Sequence, residues 1–332
     1  MVANETSSEP GIVSCGVPQG SILGPLLFLC YVNDMAISVK CKLLLYADDS
    51  ALIVSGSNPQ SIADTLSKEL ESCRQWLMDN KLSLHLGKTE SILFGSKRKL
   101  RKVESFDVKC GNETIKHVNS VKYLGVQIDN DLSGNSIVKD IVTKVNLRLR
   151  FLYRYKDLLN YGSRKTLCSA LIQCLFDYLC SSWYPGINKE LKDKLRVAQN
   201  RMIRFILKLD NRAHIGNEEL EKSGFLKVND RVKQLKLGHV FKIKKKTCPY
   251  YLATNFQNLN DDENRIVTRG KANNFYKPRI CTETFAYTAI DDWNSLPNNV
   301  KEIKSEDRFK DSLKKSLLEA ARKTEKSQFV YY

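Results

Sequence analysis

The sequence predicts an α+β fold, on three observations. Around "KLLLYADDSALIV" two short β-compatible apolar runs flank a polar turn, the pattern of a hairpin. Beyond Asp129 the apolar spacing changes from strand-like to helical and stays so for over a hundred residues. Charge divides the same way. Residues 1–95 hold 6 basic and 10 acidic side chains, a net of −4, and the rest hold 47 and 27, a net of +20.

In chain order, a short strand is expected near Ile12–Cys15, then the Gly/Pro loop "GVPQGSILGP". A helix follows from about Pro25, whose missing N–H costs nothing in a first helical turn. After the hairpin, Ile62, Leu66, Leu70, Cys73 and Leu77 fall on one helical face, with Ser61 and Asp64 read as a capping box. "LSLHL" and "SILFG" are read as strands and "SKRKLRK" as a basic loop. Further strands are expected near Phe106–Cys110 and in "VKYLGVQI". Ile141, Val145, Leu149 and Leu152 then share a helical face, with Arg150 and Arg154 turned away from it. "SRKTLCSALIQCLFDYLCSSW" reads as one mostly buried helix with a polar stripe of Ser169, Gln173 and Asp177. The next helix carries the seam Leu191, Leu195, Ala198, Met202 and Leu209, opposite Arg201, Arg204 and Lys208. Past Thr247 the pattern weakens to loops and a last helix from about Ser305 to Lys323.

Composition narrows the function. The 332 residues have room for two or three domains. The opening "MVANETSSEP" lacks the basic-then-apolar layout of a signal peptide. The longest apolar stretches are short for a membrane span and are broken by Pro25, Gln173 and Asp177. An intracellular chain, in nucleus or cytoplasm or both, is expected, without membrane contact. Ten cysteines form no C-x-x-C pair, and Cys168, Cys174 and Cys180 recur inside an apolar helix pattern. They read as core residues, with no disulfide-linked partner and no zinc site. The basic remainder favours a polyanion partner, with nucleic acid first and a merely soluble basic surface as the alternative.

Asp48 and Asp49 top the hairpin between apolar arms, so buried surroundings are expected for both. An unpaired buried charge costs several kcal/mol, roughly. Two explanations stay open: aspartate is a common turn former, or the pair holds a divalent cation, with oxygen ligands suited to phosphate chemistry.

"YADD", preceded by "GVPQGSILGPLLF", resembles the palm of a reverse transcriptase. The order of segments resembles the non-LTR (LINE-type) retrotransposon enzymes of the jockey and chicken-repeat group. "WLMDNKLSLHLGKTESILFG" looks like the segment after the catalytic hairpin, and "VKYLGVQID" like the primer-grip hairpin. "FAYTAIDDWNSLPNNVK" looks like the tail after the thumb.

The resemblance implies an RNA-directed DNA polymerase using Mg²⁺ (or Mn²⁺) on an RNA template, a DNA primer and dNTPs. It places the C-terminal part of a right-hand polymerase palm at 1–130, a helical thumb or connection at 131–246, and a retrotransposon tail region at 247–332. Asp48 would be the metal ligand, with Asp49 beside it. Pro18, Gln19, Gly20 and Tyr46 would meet the templating base and nucleotide, and Lys88 the departing pyrophosphate. Tyr123, Leu124 and Gly125 would form the primer grip. Arg201, Arg204 and Lys208 would follow the nucleic-acid backbone through phosphates.

Three departures qualify this. His85 stands where many relatives carry Asn, and Gly134 where Trp is common. The family's fingers and first catalytic aspartate precede "GVPQGS" by many tens of residues, whereas only fifteen residues precede Gly16 here. The expectation is an N-terminally truncated enzyme that does not polymerise alone. The alternatives are a remnant that binds RNA or RNA–DNA hybrid without catalysis, and a basic scaffold whose "YADD" is an ordinary turn.

Overall fold

The computed structural model describes residues 2–3, 6–7, 16–17, 20–254, 256–257, 273–277, 282 and 284–328, with side chains as far as Ala320. The strand expected at Ile12–Cys15, and the candidate residues Pro18 and Gln19, lie outside the described residues. The chain divides into two compact units, 1–124 and 125–332, and mixes helices with small sheets, as an α+β chain should.

In the first unit, Pro25 sits in the first turn of the Gly24–Val32 helix, as its geometry favours. Strand Lys42–Tyr46 pairs antiparallel with Asp49–Ile53. The long helix Pro59–Asp79 follows, and its start differs from expectation. Asn58 is the N-cap, accepting the Gln60 N–H, with Pro59 next; Ser61 and Asp64 lie inside the helix. Asparagine before proline is the stronger signal, because proline can open a helix but has no N–H to give within one.

The helix packs on two small cores. Ala63 and Leu70 meet Phe106, Val108, Cys110 and Ile115. Cys73 meets Met35 and Val39, with Leu43, Leu52, Trp76 and Leu77 against them. "LSLHL" and "SILFG" are not full strands: Leu86–Lys88 is a 3₁₀ turn, and only Glu90–Ser91 pairs, in parallel, with Lys116–His117. Alternation alone makes no strand when no neighbour supplies a ladder. "SKRKLRK" holds the short helix Lys97–Leu100, whose N-cap Ser96 accepts the Lys99 N–H. Near Phe106–Cys110 only Lys109–Cys110 is strand.

The second unit is helical. Buried Asp129 accepts the Ser136 N–H at 3.1 Å, capping helix Asn135–Tyr153, whose predicted face Ile141, Val145, Leu149 and Leu152 is buried. Helix Lys189–Leu207 lies against it through Leu191, Leu195, Ala198 and Met202. Between them the expected single helix is broken. Tyr161–Cys168 passes into a π-helical turn, Ser169–Gln173, and the chain kinks at Tyr178–Leu179, where Leu179 is left-handed (φ 48°). The expected burial is corrected too: Leu171, Cys174, Tyr178 and Leu179 are exposed, while Gln173 of the predicted polar stripe is buried, so an apolar pattern announces neither the break nor the wet side.

A second core joins helix Val228–Lys244 to Phe285–Asn294 and Glu306–Gln328 around Trp293, Phe275 and Phe309. The indole N–H of Trp293 donates to the Asn273 carbonyl at 2.9 Å. Asn294 exchanges two hydrogen bonds with the Phe275 backbone, and buried Lys301 donates to Asn274 Oδ1 and the Asn294 carbonyl. Several polar residues of "FAYTAIDDWNSLPNNVK" are thus structural anchors.

Candidate active site and nucleic-acid interface

Register fixes what the hairpin presents. Tyr46 pairs with Asp49, Leu44 with Ala51 and Leu43 with Leu52. Side chains alternate along a strand, so Leu43 and Leu52 face inward while Leu44, Tyr46, Asp49 and Ala51 share the opposite face. That face is open: Tyr46 is 65% exposed, and Asp48 and Asp49 are exposed. The expected burial of the two carboxylates is therefore corrected. A two-stranded ribbon has one face to bury, and the inner one is used.

Two features hold this tip. Ala47, the residue before Asp48, is left-handed (φ 52°), a conformation costing a non-glycine residue about 1–2 kcal/mol. At the other end, Glu69 Oε2 accepts the backbone N–H groups of Lys40 (2.6 Å) and Cys41 (3.3 Å), fastening the first strand to the long helix. The hairpin is legible in the sequence; this fastening is not, because Glu69 looks like any helix-surface acid.

The other candidates fall as follows. Gly20 is exposed with φ +85°, and a Cβ there would meet nothing, so its backbone is what calls for glycine. Lys88 is exposed at the end of the 3₁₀ turn, and no hydrogen bond or ion pair joins it to Asp48 or Asp49. Tyr123 ends strand Ser120–Tyr123, half-buried. Leu124 (φ 45°) and Gly125 (φ 81°) are both left-handed and precede strand Val126–Asp129, the dihedral signature of a tight primed turn.

Arg201 and Arg204 come together. Arg201 Nη1 donates to Asn146 Oδ1 at 2.7 Å, and Arg204 Nε to the Ala213 carbonyl at 2.8 Å. With Asn146, Leu149, Arg150, Tyr153 and Asn211 they line a cavity of about 270 Å³. Lys208 is not among the lining residues: it is the left-handed C-cap of its helix and pairs with Asp157 at 3.4 Å. Sequence reasoning set Arg150 aside as merely turned from the core, and missed Asn146 and Asn211.

For a metal, the fit is incomplete. Asp48 and Asp49 offer carboxylates to solvent, but among the described residues no group of three or more His, Cys, Asp or Glu could hold an ion. Nor, among them, is any helix long and apolar enough to cross a membrane.

Residues 1–128 match the family model "Reverse transcriptase (RNA-dependent DNA polymerase)". The chain is similar to the RNA-directed DNA polymerase from mobile element jockey of Drosophila melanogaster, 26% identical over 207 residues. Residues 1–128 thus carry a reverse-transcriptase domain of the non-LTR retrotransposon type. The jockey match covers 58% of this chain and 22% of the relative. The polymerase from transposon X-element of the same fly is 25% identical over 202 residues, with the same shares. The Pol polyprotein from retrotransposable element R1 2 of Nasonia vitripennis is 24% identical over 204 residues, covering 58% of this chain and 48% of the relative. The chain thus spans about a fifth of the length of the first two relatives.

Proposed function

We propose that this chain contributes part of the palm, and the thumb, to an RNA-directed DNA polymerase that extends a DNA primer with dNTPs on an RNA template. The supporting observation is the open face of the "YADD" hairpin. It holds Tyr46 and Asp49 as a cross-strand pair beside Asp48, inside the segment matched to the reverse-transcriptase family. On this reading residues 1–130 are palm, 131–246 thumb or connection, and 247–332 a C-terminal region of the element.

Asp48 and Asp49 give carboxylates toward Mg²⁺ (or Mn²⁺), a ligand set needing at least one more acid. Pro18, Gln19, Gly20 and Tyr46 stand toward the template base and nucleotide. Lys88 offers its ammonium to the leaving pyrophosphate, and Tyr123, Leu124 and Gly125 form the primer grip. Arg201, Arg204 and Lys208 track the backbone.

The test is a chimera in which residues 1–128 replace the matching segment of the jockey polymerase. Primer extension is expected, and it should fall by at least two orders of magnitude in Asp48→Asn. Extension that survives Asp48→Asn together with Asp49→Asn would refute the assignment. The unaltered 332-residue chain is expected to extend no primer, because its two exposed carboxylates lack a third partner among the described residues. Extension by that chain, abolished in Asp48→Ala, would overturn this.

A second reading, non-catalytic binding of RNA or RNA–DNA hybrid, draws support from the net +20 of residues 96–332. Hybrid bound by the chain, with a chimera that never extends a primer, would favour it.

A further inference from the structure

We infer that the cavity between helices Asn135–Tyr153 and Lys189–Leu207 is a built phosphate site, with Arg150, Arg201 and Arg204 as its cations. Asn146, Leu149, Arg150 and Tyr153 lie three or four residues apart, so they share one helical face. Arg201 and Arg204 face them from the second helix, and Asn211 closes the rim from the loop beyond it.

Among the described residues no carboxylate lines this space. The acids nearest in sequence have other partners: Asp210 accepts the Arg212 N–H at 2.8 Å, and Asp157 pairs with Lys208. Two guanidiniums are each held by one bond, Arg201 to Asn146 and Arg204 to Ala213, which orients them and leaves further N–H donors free. Among the described residues, none makes a hydrogen bond or ion pair with the Arg150 side chain. Three cations converging without a counter-charge repel one another, and a tetrahedral oxyanion relieves that by accepting paired guanidinium bonds. The floor is Leu149 and Tyr153, whose ring meets Phe205 edge-on at 5.1 Å, so it is packed rather than mobile.

The ligand chemistry is a phosphate group, either a link in a nucleic-acid backbone or free phosphate. The first source rests on the proposed function; the site itself does not. Compared with the sequence-derived trio, Arg150 takes the place of Lys208.

The experiment compares the full chain with Arg150→Gln and, as an equal charge loss one turn away, Arg154→Gln. Both residues are exposed, so folding should survive. Binding of an RNA–DNA hybrid is followed by fluorescence anisotropy across salt concentrations, and melting temperature in inorganic phosphate against chloride at matched ionic strength. Arg150→Gln should lower the slope of log K on log salt by about 0.7–0.9, one phosphate contact, with little change in Arg154→Gln.

If the hybrid binds and both variants change equally, the site is refuted while nucleic-acid binding stands. If no hybrid binds, but phosphate raises the melting temperature of wild type and Arg154→Gln and not of Arg150→Gln, the site stands as one for free phosphate, and the nucleic-acid reading falls. If Arg150→Gln matches wild type in both assays, the inference is wrong.

Discussion

Single residues do work here that no periodicity reveals. Gln199 is 1% exposed; its Nε2 donates to the Leu226 carbonyl at 2.8 Å, and its Oε1 accepts the Val228 N–H at 3.1 Å. It clamps the entry to helix Val228–Lys244, yet in sequence it is one more polar letter beside an apolar seam. Gln199→Leu should cost about 2–5 kcal/mol, since two buried backbone groups lose their partners at roughly 1–3 kcal/mol each. Urea unfolding followed by circular dichroism checks this; a change under 1 kcal/mol would mean water can replace the amide. Gly134 has φ +74°, and a Cβ built on it would lie 2.4 Å from Ile187 Cγ2. Backbone strain and overpacking therefore add in Gly134→Ala, for about 2–4 kcal/mol of destabilisation. The same urea titration reads it; because Ile187→Ala itself costs core packing, the overpacking share is the coupling in a double-mutant cycle of the two substitutions.

Among elements, legibility followed exposure. Helices with one wet face were readable: the spacing marks buried residues of Asn135–Tyr153 and of Lys189–Leu207, though predicted Leu209 lies past the end of the second and is only half-buried. The hairpin was readable because its arms are β-compatible and its turn polar. What failed was the apolar run between those two helices. The break at Leu179 falls on exposed Tyr178 and Leu179, whose apolar letters look like those of the buried residues on either side. Burial of Asp48 and Asp49 was misjudged because apolar flanks do not say which face of a ribbon is covered. Helix Gly24–Val32 shows the same limit, for its apolar letters suggest a core helix, yet Leu26, Leu27 and Leu29 are each more than half exposed. Apolar area of that kind drives association. Leu26→Lys with Leu29→Lys should leave the melting temperature within about 2 °C and raise the monomer fraction in sedimentation velocity. Loss of folding instead would show that these leucines are packed.

At the scale of the whole molecule, the second unit holds Cys168 and Cys180 in its core, while Cys174, which the sequence pattern counts with them, is exposed. Burial pushes Cys168 and Cys180 up to about 12, from an ordinary 9.0, and Arg164 and Arg231 only partly oppose it. Both lie fully inside the core around helices Asn135–Tyr153 and Lys189–Leu207, whereas Cys30 and Cys174 are exposed. The sign follows from proton binding. Below pH 9 the folded and unfolded states both hold these protons, so the thiols add no pH dependence. Between about 9 and 12 the unfolded chain releases them and the folded chain does not. Each thiol then removes about 1.4 kcal/mol of stability per pH unit. Urea midpoints under reducing conditions should be level from pH 7.5 to 8.5 and fall steeply from 9 to 10.5. Surface lysines also lose charge in that range, so the decisive quantity is the difference made by Cys168→Ala. That variant starts less stable, because it leaves a small cavity, but it should lose stability with pH less steeply than wild type by one thiol's share. Parallel slopes for Cys168→Ala and wild type would mean that Cys168 ionises within the folded state, and with it would go the description of this thiol as a core residue.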